Sequence, residues 1–460
     1  MSAALAPVHS KGRIIMSCKL DTEQNSVLSL LLEGKNVFLS GEGGTGKSQI
    51  IRTFLKLSNK NIICLAPTGF AALNLPEAMT IHSFFKFPID KVLIRPADIP
   101  RSEQLAELLE HVDCVVIDEI SMVRADIFRA VEMSLRLNGG KPDKPFGGKQ
   151  IVAVGDFLQL PPVVPDPILE AGLYSALGGV FAFNTQAWTL AGFIPAYLTN
   201  VHRQVDTEYI KLLKMIRTQK NGVMDLLKEI KIPVTEYPDS ELTLCCRKMD
   251  AERINANEMQ KIQASSFICS GNVDGIFPVF ELPTPRSLIL KTGARVMVIC
   301  NGRHQHNSNG NLYEYVNGEI GLITEYDPYR EIISIKMSDE RIVTVHKSVW
   351  DNVEYTLEKD EDGNISIESR IIGSFKQFPI LPAWAMSVHK AQGKTLDCKV
   401  HLHLGNFQCF APGQLYTALS RVRRLSDLTI DRPIRYGDII ADRMVLTFLE
   451  ETFPQHFPQN

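Results

Sequence analysis

The chain has 460 residues, 45% of them hydrophobic and 22% charged, which is the composition of a globular protein with about three units of domain size. Its formal net charge of −3 excludes a chain that is basic over its whole surface, and it leaves room for a local positive groove. The nine cysteines include no CxxC pair, and no apolar run reaches the roughly 20 residues of a membrane helix. We therefore expect reduced thiols, no zinc site and no membrane span.

Residues 1–20 are expected to form a flexible N-terminus. Lys11, Arg13 and Lys19 occur there without an acidic residue, a pattern that organelle-targeting leaders also show. The reduced thiols favour an intracellular protein, cytoplasmic in a prokaryote or virus and nuclear or mitochondrial in a eukaryote.

The first 200 residues alternate short apolar runs with helical stretches, which predicts a parallel sheet flanked by helices. The predicted strands are residues 36–40, 62–66, 114–117 and 151–154. Polar or glycine-containing sequence follows each strand, at the edge where open α/β sheets place their ligands. We assign residues 21–198 to this first domain.

A second α/β unit follows, with predicted helices at residues 207–218 and 248–264 and a strand at residues 242–245. Between residues 291 and 375 the pattern changes to short β-rich runs separated by turns, after which α/β patterning resumes. We predict a small β-barrel over residues 291–375, inserted into a second α/β domain of residues 199–290 and 376–460.

The clearest functional signal is the loop of residues 41–48, GEGGTGKS, which follows a predicted strand and opens a helix. It fits the phosphate-binding pattern G-x-x-x-x-G-K-[ST] without a mismatch. Backbone N–H groups of this loop can cradle the phosphates of ATP, while Lys47 reaches the β and γ oxygens and Ser48 holds Mg²⁺. The predicted nucleotide-binding residues of the loop are Gly41, Gly43, Gly44, Thr45, Gly46, Lys47 and Ser48.

Three further side chains fit the same site. Asp118 and Glu119 end a buried strand, where Asp118 would bind Mg²⁺ and Glu119 would polarise the attacking water. Gln159 follows the next strand, and its amide can bond both the γ-phosphate and that water. Gln24 precedes the phosphate-loop strand and is either a helix-start residue or a reader of the adenine edge.

These motifs, together with residues 66–72 (APTGFAA) and 80–85 (TIHSFF), resemble those of superfamily-one DNA helicases from Gln24 to Arg421. Residues 144–150 (KPFGGKQ) resemble the signature of the PIF-type helicases, which RecD-type relatives usually lack. The resemblance implies an α/β fold of two RecA-like P-loop domains with parallel sheets and a small inserted β-barrel. It also implies an ATP-driven motor that moves 5′ to 3′ on single-stranded DNA.

The resemblance extends to individual residues of the second domain. Arg203 and Arg421 match arginines that meet the γ-phosphate when the cleft closes, a task that suits a planar guanidinium. Arg423 and Arg424 are interpreted as surface residues. Gly393 lies in residues 385–395 (AMSVHKAQGKT), which resemble the motif that touches both DNA and nucleotide.

Hydroxyl, imidazole and ammonium groups in the matching motifs are the predicted DNA contacts, since such groups hold phosphates without reading sequence. They are Thr68, His82, Ser83, Ser387, His389 and Lys390. Phe70 is interpreted either as a base-stacking residue or as a core residue, and Phe84 and Phe85 favour the core. Only a short insertion fits at about residues 70–80, so the strand-separating wedge would be small.

The expected partners are single-stranded DNA and forked or structured duplex DNA, with no membrane and with a monomeric free protein. Two other functions remain open. One is a helicase-like subunit of a larger recombination or conjugation complex. The other is a non-enzymatic binder of single strands that uses ATP only as a switch, which the hydrolytic pair Asp118 and Glu119 disfavours.

Overall fold

The computed structural model describes residues 20–88, 93–164, 166–235, 241–302, 314–359, 365–405 and 409–457. The predicted flexible N-terminus therefore lies outside the described residues, except for Leu20. Among the residues that the structure describes, none of the helices combines the length and apolar composition that crossing a bilayer requires.

The first domain is built on six parallel strands, which confirms the predicted fold class. The strands are β1 (Val37–Gly41), β2 (Ile62–Ala66), β3 (Met79–Thr80), β4 (Cys114–Ile117), β5 (Gln150–Val154) and β6 (Ile194–Leu198). Their order across the sheet is β3, β2, β4, β5, β1 and β6. The four predicted strands lie within one residue of their predicted bounds, whereas β3 and β6 were missed.

Helices cover both faces of this sheet. They are α1 (Thr22–Leu32), α2 (Lys47–Leu57), α3 (Gly69–Ala72), α4 (Ile81–Phe85), α5 (Glu103–His111), α6 (Ala125–Asn138), α7 (Pro167–Leu177) and α8 (Gln186–Ala191). Successive side chains of a strand point to opposite faces, so Val37 and Leu39 enter one core while Phe38 enters the other. Burial on both faces explains why these strands read as continuous apolar runs.

The chain then enters the second α/β unit. Its first elements are α9 (Thr207–Arg217), α10 (Val223–Ile230), β7 (Leu242–Cys245) and α11 (Lys248–Lys261). Asp206 caps the start of helix α9, and its carboxylate accepts the backbone N–H groups of Glu208 and Tyr209. Tyr209, Leu212 and Ile216 of α9 are buried in the core of this unit.

An antiparallel β-rich unit interrupts it. The strands are β8 (Ser266–Ser270), β9 (Asn272–Gly275), β10 (Ser287–Lys291), β11 (Arg295–Val298), β12 (Ile320–Asp327), β13 (Ile332–Met337), β14 (Ile342–His346), β15 (Ser348–Lys359), β16 (Ile365–Gln377) and β17 (Ile380–Pro382). Five of them form one sheet in the order β14, β13, β12, β11 and β17. Strands β8 and β10 pair with each other, and β15, β16 and β9 form a third sheet.

The β-rich unit is larger than the 85 residues expected from sequence (291–375). Residues of β8 and β10 share one apolar core with the five-stranded sheet, as Cys269, Leu288 and Val296 show. Strand β17 also pairs with β11, although it lies beyond residue 375. We therefore propose bounds of 266–382 for this unit.

The long hairpin of β15 and β16 extends from this unit to the first domain. The hydroxyl of Tyr355 donates to the backbone oxygen of Glu77 at 2.7 Å, and its ring packs edge-on against Phe84. Lys86 and Glu354 form an ion pair at 3.1 Å. The inserted unit thus contacts the first domain directly.

The remaining elements complete the second domain. They are β18 (Ala385–Ser387), α12 (Val388–Ala391), β19 (Val400–His403), α13 (Gln414–Leu419), β20 (Leu428–Ile430) and α14 (Arg443–Thr452). A second parallel sheet forms in the order β18, β7, β19 and β20. Two parallel sheets, one in each half of the chain, match the predicted architecture.

The structure differs from the predicted domain division at helix α14. The division placed residues 376–460 in the second domain, but Val445, Leu449 and Phe453 are buried in the core of the first. Phe448 stacks on Phe183 with ring centroids 4.1 Å apart. Phe448 also contacts the rings of Phe38, Phe157 and Trp188. These partners lie more than 250 residues earlier in the chain, so local sequence patterns do not reveal the contact.

We expect Phe453→Ala to destabilise the first domain. Phe453 is 5% exposed and contacts the rings of Phe38 and Tyr197, so truncation should cost about 3 to 5 kcal/mol of unfolding free energy. Urea denaturation followed by tryptophan fluorescence measures this. The control Tyr329→Ala alters a side chain that is 98% exposed, and it should shift stability by less than about 0.5 kcal/mol. Equal stability of the two variants would contradict the packing of α14.

Candidate functional site

A cleft of about 290 Å³ lies where the carboxyl ends of the first sheet face the second domain. Both domains contribute side chains. Its lining includes Gly43, Gly44, Gly46, Lys47, Ser48, Asp118, Glu119, Asp156, Gln159, His202, Arg203, Gly393 and Arg421. The cleft therefore brings together most of the residues predicted for nucleotide binding and hydrolysis.

The loop between β1 and α2 forms one wall. Gly46 adopts φ +83°, a left-handed conformation that favours glycine, and it leads directly into α2. The ammonium of Lys47 donates to the backbone oxygens of Gly41 at 2.8 Å and Glu42 at 3.0 Å. Burial lowers the pKa of Lys47. Ser48 follows in the same helix turn and also lines the cleft. A helix start with free N–H groups and a cation is a phosphate-binding arrangement.

Two carboxylates follow β4. Burial, reinforced by the neighbouring Glu119, raises the pKa of Asp118 to about 7. Glu119 adopts φ +51°, which is unusual for a residue with a side chain and indicates local backbone strain. The side-chain amide of Gln392 donates to its Oε2 atom at 3.0 Å. An amide of the second domain thus orients the carboxylate of the first.

Two arginines of the second domain form the opposite wall. A Cβ atom added to Gly44 would lie 2.4 Å from Cβ of Arg203, and one added to Gly43 would lie 3.2 Å from Nη2 of Arg421. Burial, and then the neighbouring Arg421, lowers the pKa of Arg203 to about 9. Its buried Nε atom has no hydrogen-bond partner among the described residues. A cation with a buried, unused donor suits an anionic ligand.

Gln159 lies between the two walls. Its Nε2 atom is 3.4 Å from Oδ2 of Asp156, and its Oε1 atom is 3.5 Å from Nη2 of Arg421. Arg421 is 1% exposed, and it also donates to Ser420 Oγ at 2.7 Å. The amide of Gln159 therefore connects the end of β5 with an arginine of the second domain.

Gln24 is a helix-start residue, which is one of the two alternatives that the sequence left open, and it also contacts the phosphate-binding loop. It forms a capping box with Asp21, accepting the Asp21 N–H at 3.1 Å. Its Nε2 atom also donates to the backbone oxygen of Thr45 at 3.1 Å and lies 3.5 Å from Nε2 of His202. The half-exposed ring of His202 was missed in the sequence, although it precedes Arg203. An imidazole beside Gln24 can stack on a planar base.

Gly393 has φ +75°, and an added Cβ would lie 2.8 Å from Nδ2 of Asn74 and 3.5 Å from Oε1 of Glu119. The position therefore allows the two domains to approach closely. Arg423 and Arg424 are exposed. Arg423 lies at the rim of the cleft, where it pairs with Asp397.

A second candidate site is a groove made of two adjoining cavities, of about 1010 Å³ and 250 Å³, which share Lys390. The larger one brings Thr68 and Ser83 of the first domain opposite Trp350 of the β-rich unit. The smaller one is lined by Ser387 and by further lysines of the second domain. This groove contains four of the predicted DNA-contacting residues.

The smaller cavity concentrates positive charge that the sequence did not reveal. Lys248, Lys390 and Lys394 all line it. Burial, and then Lys390, lowers the pKa of Lys394 to about 8, and burial also lowers that of Lys390. Lys248 begins α11 and Lys394 follows α12, so only the fold brings them together.

Two further predicted DNA contacts, His82 and His389, lie outside this groove. His82 and His389 are half-buried and do not line either cavity, and burial lowers the pKa of both. The ring of His82 instead meets Phe87 edge-on at 6.3 Å. Phe84 and Phe85 are buried in the core. The backbone of Phe70 lies in α3, and its side chain lies outside the described part of the structure.

A family model described as PIF1-like helicase matches residues 19–225. The ATP-dependent DNA helicase Pif1 of Bdellovibrio bacteriovorus is 32% identical over 466 residues, covering 98% of this chain and 94% of that protein. Pif1 from a Bacteroides species in complex with ADP-AlF4 superposes with a TM-score of 0.81 at 33% identity, covering 95% of this chain and 98% of that one. Bacteroides Pif1 bound to ssDNA matches with a TM-score of 0.67 at 34% identity, covering 95% and 97%.

Relatives differ in how much of their length is matched. The ATP-dependent DNA helicases PIF1 of Danio rerio and Homo sapiens are 30% and 29% identical to this chain. The alignments cover 90% of this chain but only 61% and 60% of those proteins. The chain thus spans about three fifths of the length of these vertebrate relatives.

We expect Gly44→Ala to prevent the two walls of the cleft from meeting. Its φ of +88° is unfavourable for alanine, and the added carbon would clash with Arg203. ATP hydrolysis should fall about 100-fold, as for other displacements of about 1 Å between catalytic groups. The matched control is Gly172→Ala in α7, where an added Cβ meets nothing within 4 Å. Hydrolysis by Gly44→Ala at the rate of this control would contradict the described contact.

Proposed function

This chain belongs to the PIF1-like helicase family, and we propose that it is an ATP-dependent DNA helicase that moves 5′ to 3′ along single-stranded DNA and unwinds duplexes. The observation that carries the proposal is one cleft in which a phosphate-binding loop of one domain faces two arginines of another. Such a cleft couples hydrolysis to the relative position of two domains. We propose that this motor acts in DNA replication, recombination and repair.

The proposed chemistry assigns one role to each group. Lys47 and the loop N–H groups hold the β and γ phosphates, and Glu119 polarises the attacking water. Gln159 bonds that water and the γ-phosphate. Arg203 and Arg421 stabilise the charge that develops on the transferred phosphoryl group. Since these arginines belong to the second domain, hydrolysis requires a closed cleft.

The adenine is proposed to lie beside Gln24, whose amide has the paired donor and acceptor that an adenine edge requires. The neighbouring ring of His202 offers a stacking surface. Both residues lie beside the phosphate-binding loop, because Nε2 of Gln24 donates to the backbone oxygen of Thr45 and the backbone N–H of His202 donates to that of Gly44.

Ser48 and Asp118 are the proposed ligands of Mg²⁺. A hydroxyl and a carboxylate are hard oxygen donors, and both groups line the cleft that contains Lys47. Mg²⁺ usually completes its coordination with substrate phosphates and water, so two protein ligands are sufficient. When bound, the ion would neutralise charge between the β and γ phosphates.

The proposed path of DNA is the groove that contains Thr68, Ser83, Ser387 and Lys390. Thr68 and Ser387 cap short helices, so helix N-termini and a lysine face the same channel. Single-stranded and forked DNA are the partners, and the free protein is proposed to be a monomer inside the cell. It would be cytoplasmic in a prokaryote or virus, and nuclear or mitochondrial in a eukaryote.

We expect Lys47→Ala and Glu119→Gln each to lower DNA-stimulated ATP hydrolysis by about 100-fold or more, because phosphate contacts and water activation are lost. A phosphate-release assay with and without single-stranded DNA measures this. Glu107→Gln, at an exposed position of α5, is the control and should retain full activity. The active wild type should unwind only substrates with a 5′ single-stranded tail, and unwinding from a 3′ tail alone would contradict the polarity.

We expect Lys248→Ala and Lys390→Ala to weaken binding of single-stranded DNA. Each loses up to one phosphate contact, so the slope of log K against log salt concentration should fall by about 0.7 per contact. Fluorescence anisotropy with a labelled oligonucleotide at several salt concentrations measures it. Lys261→Ala, at the other end of α11 and outside the groove, should leave the slope unchanged. Equal slopes in all the proteins would place the DNA elsewhere.

A further inference from the structure

A buried ion pair joins the two domains beside the nucleotide cleft. Arg217, the last residue of α9 in the second domain, donates from Nη2 to Oδ1 of Asp156 at 2.6 Å and from Nε to Oδ2 at 3.3 Å. Asp156 follows β5 in the first domain. The two residues are 3% and 1% exposed. This bidentate pair is therefore a charged contact across the domain boundary with almost no access to water.

The carboxylate of Asp156 also shapes the loop that carries Gln159. Its Oδ1 atom accepts the backbone N–H of Leu158 at 3.1 Å, and its Oδ2 atom lies 3.4 Å from Nε2 of Gln159. One carboxylate thus holds both the loop and the guanidinium of Arg217. A shift of Arg217 would therefore move Asp156 and, with it, the side-chain amide of Gln159, which is proposed to bond the γ-phosphate.

Arg217 has a second connection, to the phosphate-binding loop. Its guanidinium lies over the ring of Tyr416, 5.7 Å from the centroid. The hydroxyl of Tyr416 accepts the backbone N–H of Gly43 at 3.0 Å. Arg217 also donates from Nη1 to the hydroxyl of Tyr197 at 2.9 Å. The orientation of this one side chain is therefore fixed by groups on both domains.

Stability alone gives a poor reason for such a pair. Removing two charges from water is costly, and well-packed apolar residues often stabilise a protein as well as a buried ion pair does. A bidentate pair does, however, restrict the geometry of the groups that it joins. The pair lies between Gln159 and the second domain, so we infer that its role is to fix the relative position of these groups.

We propose that Arg217 is a positioning residue that links the two domains to the nucleotide site. In the closed cleft it holds Asp156, and through Asp156 and Tyr416 it keeps Gln159 and Gly43 in register with Arg421. The proposal rests on the proposed ATPase function and deepens it. Loss of Arg217 should impair the hydrolytic step more than the binding of ATP, because Arg217 does not line the cleft and acts on it through Asp156 and Tyr416.

The test compares Arg217→Gln, Arg217→Lys and Asp156→Asn with the wild type. Steady-state ATP hydrolysis with and without single-stranded DNA gives kcat and KM, and a fluorescent ATP analogue gives the nucleotide Kd. We expect Arg217→Gln to lower the DNA-stimulated kcat about 30- to 100-fold, with less than about a threefold change in Kd. Arg217→Lys keeps the positive charge but not the two parallel donors of the guanidinium. Its log kcat should recover about a third or more of the difference between Arg217→Gln and the wild type.

The double variant Asp156→Asn, Arg217→Gln provides an internal check. If both residues act through their mutual contact, the double variant should be no slower than the slower single variant. Multiplied effects of the two substitutions would overturn the proposal, because they would show that the residues act separately.

A matched control is available within the second domain. Arg432 and Asp438 form another bidentate pair, which is partly buried, with Nη1 to Oδ2 at 2.7 Å and Nη2 to Oδ1 at 2.9 Å, and neither residue lines the cleft. Arg432→Gln should lower the melting temperature but leave the DNA-stimulated kcat per folded molecule within about twofold of the wild type. A purely structural role would make Arg217→Gln behave in the same way.

Each outcome decides between the hypotheses. A wild-type kcat in folded Arg217→Gln, or a rise of Kd in proportion to the loss of kcat, overturns the positioning role. If Arg217→Gln does not fold, Arg217→Lys and Asp156→Asn decide by the same kcat and Kd criteria. If the wild type shows no DNA-stimulated hydrolysis, the proposed function is overturned, and the role of Arg217 with it. This outcome is distinguished from a failure of the Arg217 proposal alone, because in that case the wild type still hydrolyses ATP.

Discussion

Positive charge gathered around the phosphate-binding loop is the constraint on which the rest of the structure depends. Lys47, Arg203 and Arg421 converge on one small cleft, and two of them belong to a different domain from the loop. Cations removed from water need an anionic partner, and Arg203 has a buried donor with no partner among the described residues. The cleft is therefore organised for a polyanion that both domains hold at once.

Both domains reach this cleft because of their topology. Parallel strands bring their carboxyl ends to one edge of a sheet, so Gly41, Asp118 and Asp156 lie at the carboxyl ends of three strands that are side by side. In the second domain, Arg421 follows α13 and Arg203 precedes α9, which pack together through Tyr209 and Leu419. The α/β topology thus brings residues that are far apart in sequence to the same cleft.

Local patterns were sufficient where the physics is local. Strands β1, β2, β4 and β5 were predicted because burial on both faces requires continuous apolar runs, and the loop at 41–48 because phosphate binding fixes residue types at fixed spacing. Arg217, Gln392 and Lys248 were not identified, since each acquires its partner only through folding. Helix α14 was assigned to the wrong domain for the same reason, because its aromatic partners lie more than 250 residues earlier.

The return of helix α14 to the first domain has a mechanical consequence. The chain leaves the first domain after β6 and comes back to it at α14. The polypeptide therefore crosses between the two domains twice instead of once. A body joined at one point can swivel in any direction, whereas a body joined at two points turns mainly about the line between them. Two crossings should therefore restrict the rotation of one domain against the other more than a single crossing would.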